Sequence, residues 1–191
     1  MTDAERIAGG LADLAEVAAR TVTQAAELAP IVATMRATLA GGGTLFFAGN
    51  GGSAADAQHL ATEYVVRYHP VAGRPRRAVA LTTDASLLTA AANDFGFEHV
   101  FARQIEALGR PGDALIVHST SGNSPNCLLA VEQARALGIR TIALTGGDGG
   151  ALRSSADHCF VVPDHRVHHI QEIHLAIQHQ IAALLTLEEA P

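Results

Sequence analysis

The segment Leu45–Glu63, LFFAGNGGSAADAQHLATE, carries three signals in nineteen residues. An apolar run is cut by a glycine-rich turn, and a helix begins at Ser53. The Ser53 hydroxyl, the small residues Gly51 and Gly52, and the N–H groups of a helix start form a ready anion site. Further along this helix, His59 and Glu63 stand four residues apart and share one face about 6 Å apart along the axis. The pair can ligate a metal, act as acid and base, or merely be a surface ion pair.

Outward from this segment, strands and helices alternate. The pattern predicts strands at 45–48, 78–81, 114–118, 140–144 and 159–162. It predicts helices at 53–67, 86–92, 98–108 and 124–137, a short helix after Gly146–Gly150, and a last helix at 168–185. Short apolar strands joined by helical crossovers indicate an α/β fold, a doubly wound five-stranded parallel sheet flanked by helices. Ligands in such folds bind beyond the carboxyl ends of the strands, where Gly49–Ser53, Thr82–Ser86, Ser119–Ser124 and Thr145–Gly150 fall. Residues 1–43 read as an Ala-rich helical arm, with Gly9–Gly10 and Pro30 as its interruptions and Gly41–Gly43 as its close. Its apolar positions Ile7, Leu11, Leu14 and Ala18 recur at helical spacing, so this face packs on its own domain or on a second subunit. The arm and residues 44–191 are expected to form one domain.

Composition narrows the class. Hydrophobic residues make up 48% of the 191 and aromatics 4%, so the core is aliphatic, as suits helices on a parallel sheet. A net charge of −6 argues against nucleic-acid or anionic-membrane partners, which need a basic face. The one basic cluster, Arg74, Arg76 and Arg77, reads as a solvated loop. Cys127 and Cys159 make no disulfide framework and read as small buried hydrophobes in a reducing compartment. MTDAERIAGG has no apolar stretch of a secretory signal, and no run approaches the ~20 residues of a membrane span. The expected location is the cytoplasm.

A second loop, Ser119-Thr-Ser-Gly-Asn-Ser124, follows a strand and precedes a helix. Its hydroxyls and N–H groups can surround a phosphate without Lys or Arg. Neither loop has the Walker lysine or the G-x-G-x-x-G spacing of dinucleotide folds. Two such loops at strand ends point to a small phosphorylated ligand. Histidines crowd the C-terminus at 165, 168, 169, 174 and 179, either as polar surface or as the lining of a site.

Four blocks, Gly49–His59, Ala92-Asn-Asp-Phe-Gly-Phe97, Ser119–Ser124 and Ile170-Gln-Glu-Ile-His174, closely resemble the phosphoheptose isomerases of the sugar-isomerase (SIS) superfamily. The resemblance runs from about Leu45 to the C-terminus and implies an SIS-type fold. It implies interconversion of D-sedoheptulose 7-phosphate and D-glycero-D-manno-heptose 7-phosphate by a zinc-bound homotetramer with interfacial active sites. The zinc ligands would be His59, Glu63, Gln171 and His179, with Glu63 and His179 as the acid/base pair. Substrate contacts would fall on Asn50, Gly51, Gly52, Ser53, Glu63, Asn93, Asp94, Ser119, Thr120, Ser121, Ser124 and Gln171. Gln171 and His179 are eight residues apart, ~12 Å along one helix, so a second subunit is a candidate source for one of them. Family members commonly carry Asp-Arg where this chain has His168-His169. A silent SIS protein that binds a replication initiator is the alternative of another class, but such relatives tend to lose the Glu and His equivalent to Glu63 and His179. Isomerisation of a shorter sugar phosphate is a third reading.

Overall fold

The computed structural model describes residues 1–66 and 74–187. Helix α1 (Asp3–Val22) starts from a Thr2–Glu5 capping box, in which each side chain bonds the other's backbone N–H. It runs unbroken through Gly9–Gly10, contrary to the sequence expectation. Each glycine costs about 1 kcal/mol relative to Ala, which the cap, the flanking alanines and the buried Val17 offset. The break comes later, at a 3-10 turn (Ala25–Leu28), and Pro30 lies in the first turn of α2 (Ala29–Ala40), where it forfeits no helical bond.

Five strands follow: β1 (Leu45–Gly49), β2 (Ala78–Ala80), β3 (Ala114–Ser119), β4 (Arg140–Gly146) and β5 (His158–Val162). All pair in parallel, in the order β2-β1-β3-β4-β5, with Leu45 in register with both Ala78 and Ala114 and the latter with Arg140. Between and after them lie α3 (Gly52–Val65), α4 (Ala85–Phe95), α5 (Ala102–Leu108), α6 (Pro125–Ala136), α7 (Leu152–Ser155) and α8 (Val167–Leu187). The helix expected over 98–108 is split into a 3-10 turn (Phe97–His99) and α5. Arg67, expected to end the third helix, lies outside the described residues.

Strand alternation sorts the core into two layers. Leu45, Phe47, Ala114, Ile116, Ile142 and Leu144 face α1, α2, α3 and α8, while Phe46, Ala48, Leu115, Val117 and Ala143 face α5 and α6. The arm is tied down by charge as well as packing. Asp164 after β5 accepts from Arg166 (2.7 Å) and from Arg20 of α1 (3.2 Å), and Arg166 also reaches Asp13 (2.7 Å). Cys127 is buried and Cys159 half-buried, both as free thiols. Arg76, expected in a solvated loop, is buried, with its N–H on the Tyr64 carbonyl. No helix among the described residues is long and apolar enough to cross a membrane.

Candidate functional site

The carboxyl end of β1 turns through Asn50 and Gly51 into α3. Gly51 caps the helix at φ 58°, a conformation that costs a residue with a Cβ 1–2 kcal/mol or so. The helix starts one residue earlier than expected, and its first N–H groups are not all free. Ser53 and Ala54 donate back to the carbonyls of Asn50 (3.1 Å) and Gly51 (3.0 Å). The N–H groups of Gly51 and Gly52 have no partner among the described residues, so these two are the donors available to an anion.

The side chain of Asn50 is aimed by Asn126, which sequence reasoning missed. The two amides bond reciprocally, Asn50 Nδ2 to Asn126 Oδ1 at 2.9 Å and Asn126 Nδ2 to Asn50 Oδ1 at 2.7 Å. The available signal was Ser-Pro-Asn immediately after the serine loop, which puts Asn126 in the first turn of α6. That loop is drawn together by a Ser119–Ser124 hydroxyl bond (3.0 Å). It is locked from behind by the turn after β4: Leu152 N–H donates to Gly122 O (3.0 Å) and Ala151 N–H to Asn123 Oδ1 (2.9 Å). Gly122 sits at φ +65°, and a Cβ there would stand 1.9 Å from the Gly149 carbonyl oxygen. Beside Thr120 and Ser121 opens a cleft of about 350 Å³, bounded by Gly146–Asp148, His165 and Ile170.

Helices α3 and α8 run side by side in the same direction. The Gln171 amide lies against Gly52, where a Cβ would be 2.8 Å from both its terminal atoms. Eight residues on, His179 meets the other end of α3: its Nε2 is 2.8 Å from His59 Nε2, and His59 Nε2 is 3.3 Å from Glu63 Oε1. These three side chains offer ligand atoms all within 4.8 Å of one another. Two imidazoles and a carboxylate are a donor set that zinc accepts. Within this chain Gln171 stands at the anion loop, not beside the three. Glu63 is half-buried, while His59 is exposed.

On the same face as His59, Asp56 buries one carboxylate oxygen without a hydrogen-bond partner among the described residues, and burial raises its carboxyl above the ordinary range against the nearby His59. Asn93 and Asp94 are exposed at the end of α4, where the Asn93 amide donates to the Asp94 carboxylate (2.8 Å). His169 is buried with Nδ1 4.0 Å from Asp164, and His168 packs edge-on against it. An Asp–Arg pair is thus present nearby as Asp164–Arg166. His174 is also interior, with Nε2 3.0 Å from the Thr145 carbonyl and its ring 5.8 Å from that of His118. Of the late histidines, then, His179 lines the site, His169 and His174 are core, and His165 and His168 are exposed.

The SIS domain family matches residues 11–146. The phosphoheptose isomerase of Akkermansia muciniphila is 52% identical over 152 residues, covering 79% of each chain. That of Solidesulfovibrio magneticus is 48% identical over 180 residues, 94% of this chain and 87% of the other. Among solved structures, the phosphoheptose isomerase of Neisseria gonorrhoeae superposes with a TM-score of 0.90 at 40% identity, over 96% of this chain and 98% of that one. The Francisella tularensis phosphoheptose isomerase gives 0.87 at 34% identity, over 98% and 100%. The parallel sheet, the two glycine- and serine-rich loops at its strand ends and these likenesses agree, and the chain belongs to the phosphoheptose isomerase family of SIS-domain proteins.

Proposed function

We propose that this sugar-phosphate isomerase interconverts D-sedoheptulose 7-phosphate and D-glycero-D-manno-heptose 7-phosphate through an enediolate, in the cytoplasm. The observation that carries the reading is the convergence of His59 and Glu63 on α3 with His179 on α8, on the helix that the first of the two loops opens. The N–H groups of Gly51 and Gly52, the Asn50 amide and the hydroxyls of Ser119, Thr120, Ser121 and Ser124 bind the phosphosugar without a cationic side chain. Ser53, Gln171, Asn93 and Asp94 complete the proposed contacts.

Moving a carbonyl between C1 and C2 needs one base that carries a proton between adjacent carbons and a second group that serves the oxygens. Glu63 is the carbon base and His179 the oxygen-side acid/base. Without a metal, the 2.8 Å contact between the Nε2 atoms of His179 and His59 lets one ring donate to the other, and a bound metal would take the place of that proton. His59, Glu63 and His179 would hold zinc, with Gln171 of a neighbouring subunit as fourth donor. When bound, zinc polarises the carbonyl as a Lewis acid. Glu63 would serve both as a ligand of that metal and as the carbon base.

We propose the homotetramer with interfacial sites for two reasons. Ile7, Leu11 and Val22 of α1 are 66%, 64% and 71% exposed, and an apolar groove of about 590 Å³ runs between α1–α2 and α8, lined by Val22, Leu28, Val32, Ile181 and Leu184. Exposed apolar surface on this scale marks an interface. Residues 1–43 share the core layer of α8, in support of one domain with 44–191.

The test is incubation of purified protein with sedoheptulose 7-phosphate, with and without added zinc, followed by NMR for the aldose. Turnover supports the reading, and none by folded, zinc-loaded protein overturns it. Glu63→Gln should abolish turnover while phosphosugar binding persists. A near-wild-type rate in that variant removes Glu63 from the base role.

A further inference from the structure

The opposite end of the sheet holds a cleft of about 830 Å³, within the range of small-molecule sites. The start of every strand but one supplies a polar side chain to it or to its rim: Arg77 before β2, Asp113 before β3, Arg140 at the first position of β4 and His158 at that of β5. The turn after α5 adds Arg110, and α2 closes one wall. Because the active-site loops lie at the carboxyl ends of these strands, the cleft is a separate place on the molecule.

Its charge is the unusual feature. In a chain of net charge −6, three arginines line this cleft with a single acid. That acid is already engaged: Asp113 is buried, its Oδ1 accepts from the Thr44 N–H (2.7 Å) and its Oδ2 from the Arg110 N–H (2.8 Å). Among the described residues no carboxylate pairs with Arg77, Arg110 or Arg140, although other arginines of the chain, Arg20, Arg103 and Arg166, do find one. Arg77 instead spends its Nε–H on the Thr44 hydroxyl (3.1 Å), which fixes its stem and leaves its terminal nitrogens for another acceptor.

Spacing selects the ligand. From β2 to β4 is three strand intervals, about 14 Å at ~4.8 Å each. Extended arginines on both sides can close most of that span. One phosphate monoester would satisfy one or two such forks, whereas a chain of two phosphates offers enough oxygens, and enough length, for three bidentate contacts.

We propose that this cleft is a second, non-catalytic site for a small molecule bearing a pyrophosphate group, held by Arg77, Arg110 and Arg140. Inorganic pyrophosphate is the probe, titrated calorimetrically at low ionic strength because exposed charges are screened by salt. Three proteins are compared: wild type, Arg110→Gln/Arg140→Gln, and Ser119→Ala/Ser124→Ala. The expected result is one pyrophosphate per chain in the wild type, affinity at least ten-fold weaker in the arginine variant and unchanged in the serine variant. Isomerase kcat/KM of the arginine variant should stay at the wild-type level. Absence of pyrophosphate binding, equal binding by the arginine variant, or loss of binding in the serine variant alone overturns the proposal.

Discussion

Acid should destabilise this protein well above the carboxylate range, through two interior histidines. The rings of His118 on β3 and His174 on α8 are 1% and 0% exposed and lie 5.8 Å apart, with the His118 ring stacked 6.4 Å from Phe47. Burial, and then the neighbouring His174, holds His118 at about 3, and burial holds His174 at about 4 despite its bond to the Thr145 carbonyl. Both are bases depressed below the ordinary histidine value of about 6.5. The unfolded chain therefore binds more protons below pH 6.5, and stability present above that pH falls as pH drops. At pH 5 both native rings are still neutral, so the cost depends on the unfolded value alone. It is about 1.4 kcal/mol per pH unit over about 1.5 units, or ~2 kcal/mol per ring and ~4 kcal/mol for the pair.

The assay is urea unfolding from pH 8 to pH 5, with His118→Phe beside the wild type. Phe keeps the stacking on Phe47 and removes one proton acceptor. Wild type should lose about 4 kcal/mol over this range and the variant about 2 kcal/mol, whatever their difference at pH 8. A metal bound at His59 and His179 contributes equally to both and cancels in the comparison. Parallel pH curves for the two proteins would refute the reasoning.

Three further outcomes are expected. Gly122→Ala forces a Cβ into the Gly149 carbonyl at a left-handed φ, so thermal unfolding should show a loss of at least ~2 kcal/mol, with KM for the phosphosugar raised as the serine loop shifts. Asn126→Leu leaves the Asn50 amide without its reciprocal partner, and steady-state kinetics should show about a five-fold fall in kcat/KM with the fold intact, following the ~1 kcal/mol worth of a typical hydrogen bond. Val22→Glu puts a charge on an exposed apolar position of the α1–α8 groove, so light scattering should report a species smaller than a tetramer, together with loss of turnover if the sites are interfacial.

The α/β alternation and the position of both glycine- and serine-rich loops were legible because each is written within a few neighbouring residues. Apolar runs of four to six residues bounded by Gly, Ser and Asp name a parallel strand, and serines with glycine at a strand end name an anion loop, with no knowledge of the rest of the chain. The i,i+4 spacing of His59 and Glu63 likewise sets their common face through helix geometry alone. The same local logic misplaced the break in the arm, since it weighed two glycines by their propensity while the Thr2–Glu5 cap and the burial of Val17 outweighed them. It also assigned Arg76 to solvent, where the Tyr64 carbonyl and the core claim it.

What sequence could not provide is any relation that depends on distance across the fold. His179 and His174 are five residues apart on one helix, yet one faces His59 and the other faces Thr145 and His118, because α8 packs on the sheet with one side and against the neighbouring α3 with another. Asn126 becomes the partner of Asn50 only when β1 and β3 pair, which sets the starts of α3 and α6 side by side. Arg77, Arg110 and Arg140 form one cleft only when the strand order β2-β1-β3-β4 aligns their amino ends. By itself, then, the chain's sequence determined the layers, the loops and the chemistry on offer, since these arise from local periodicity and residue type. Tertiary structure alone decided which histidine meets His59 and which is core, because that choice is made by packing between residues 29 to 120 positions apart.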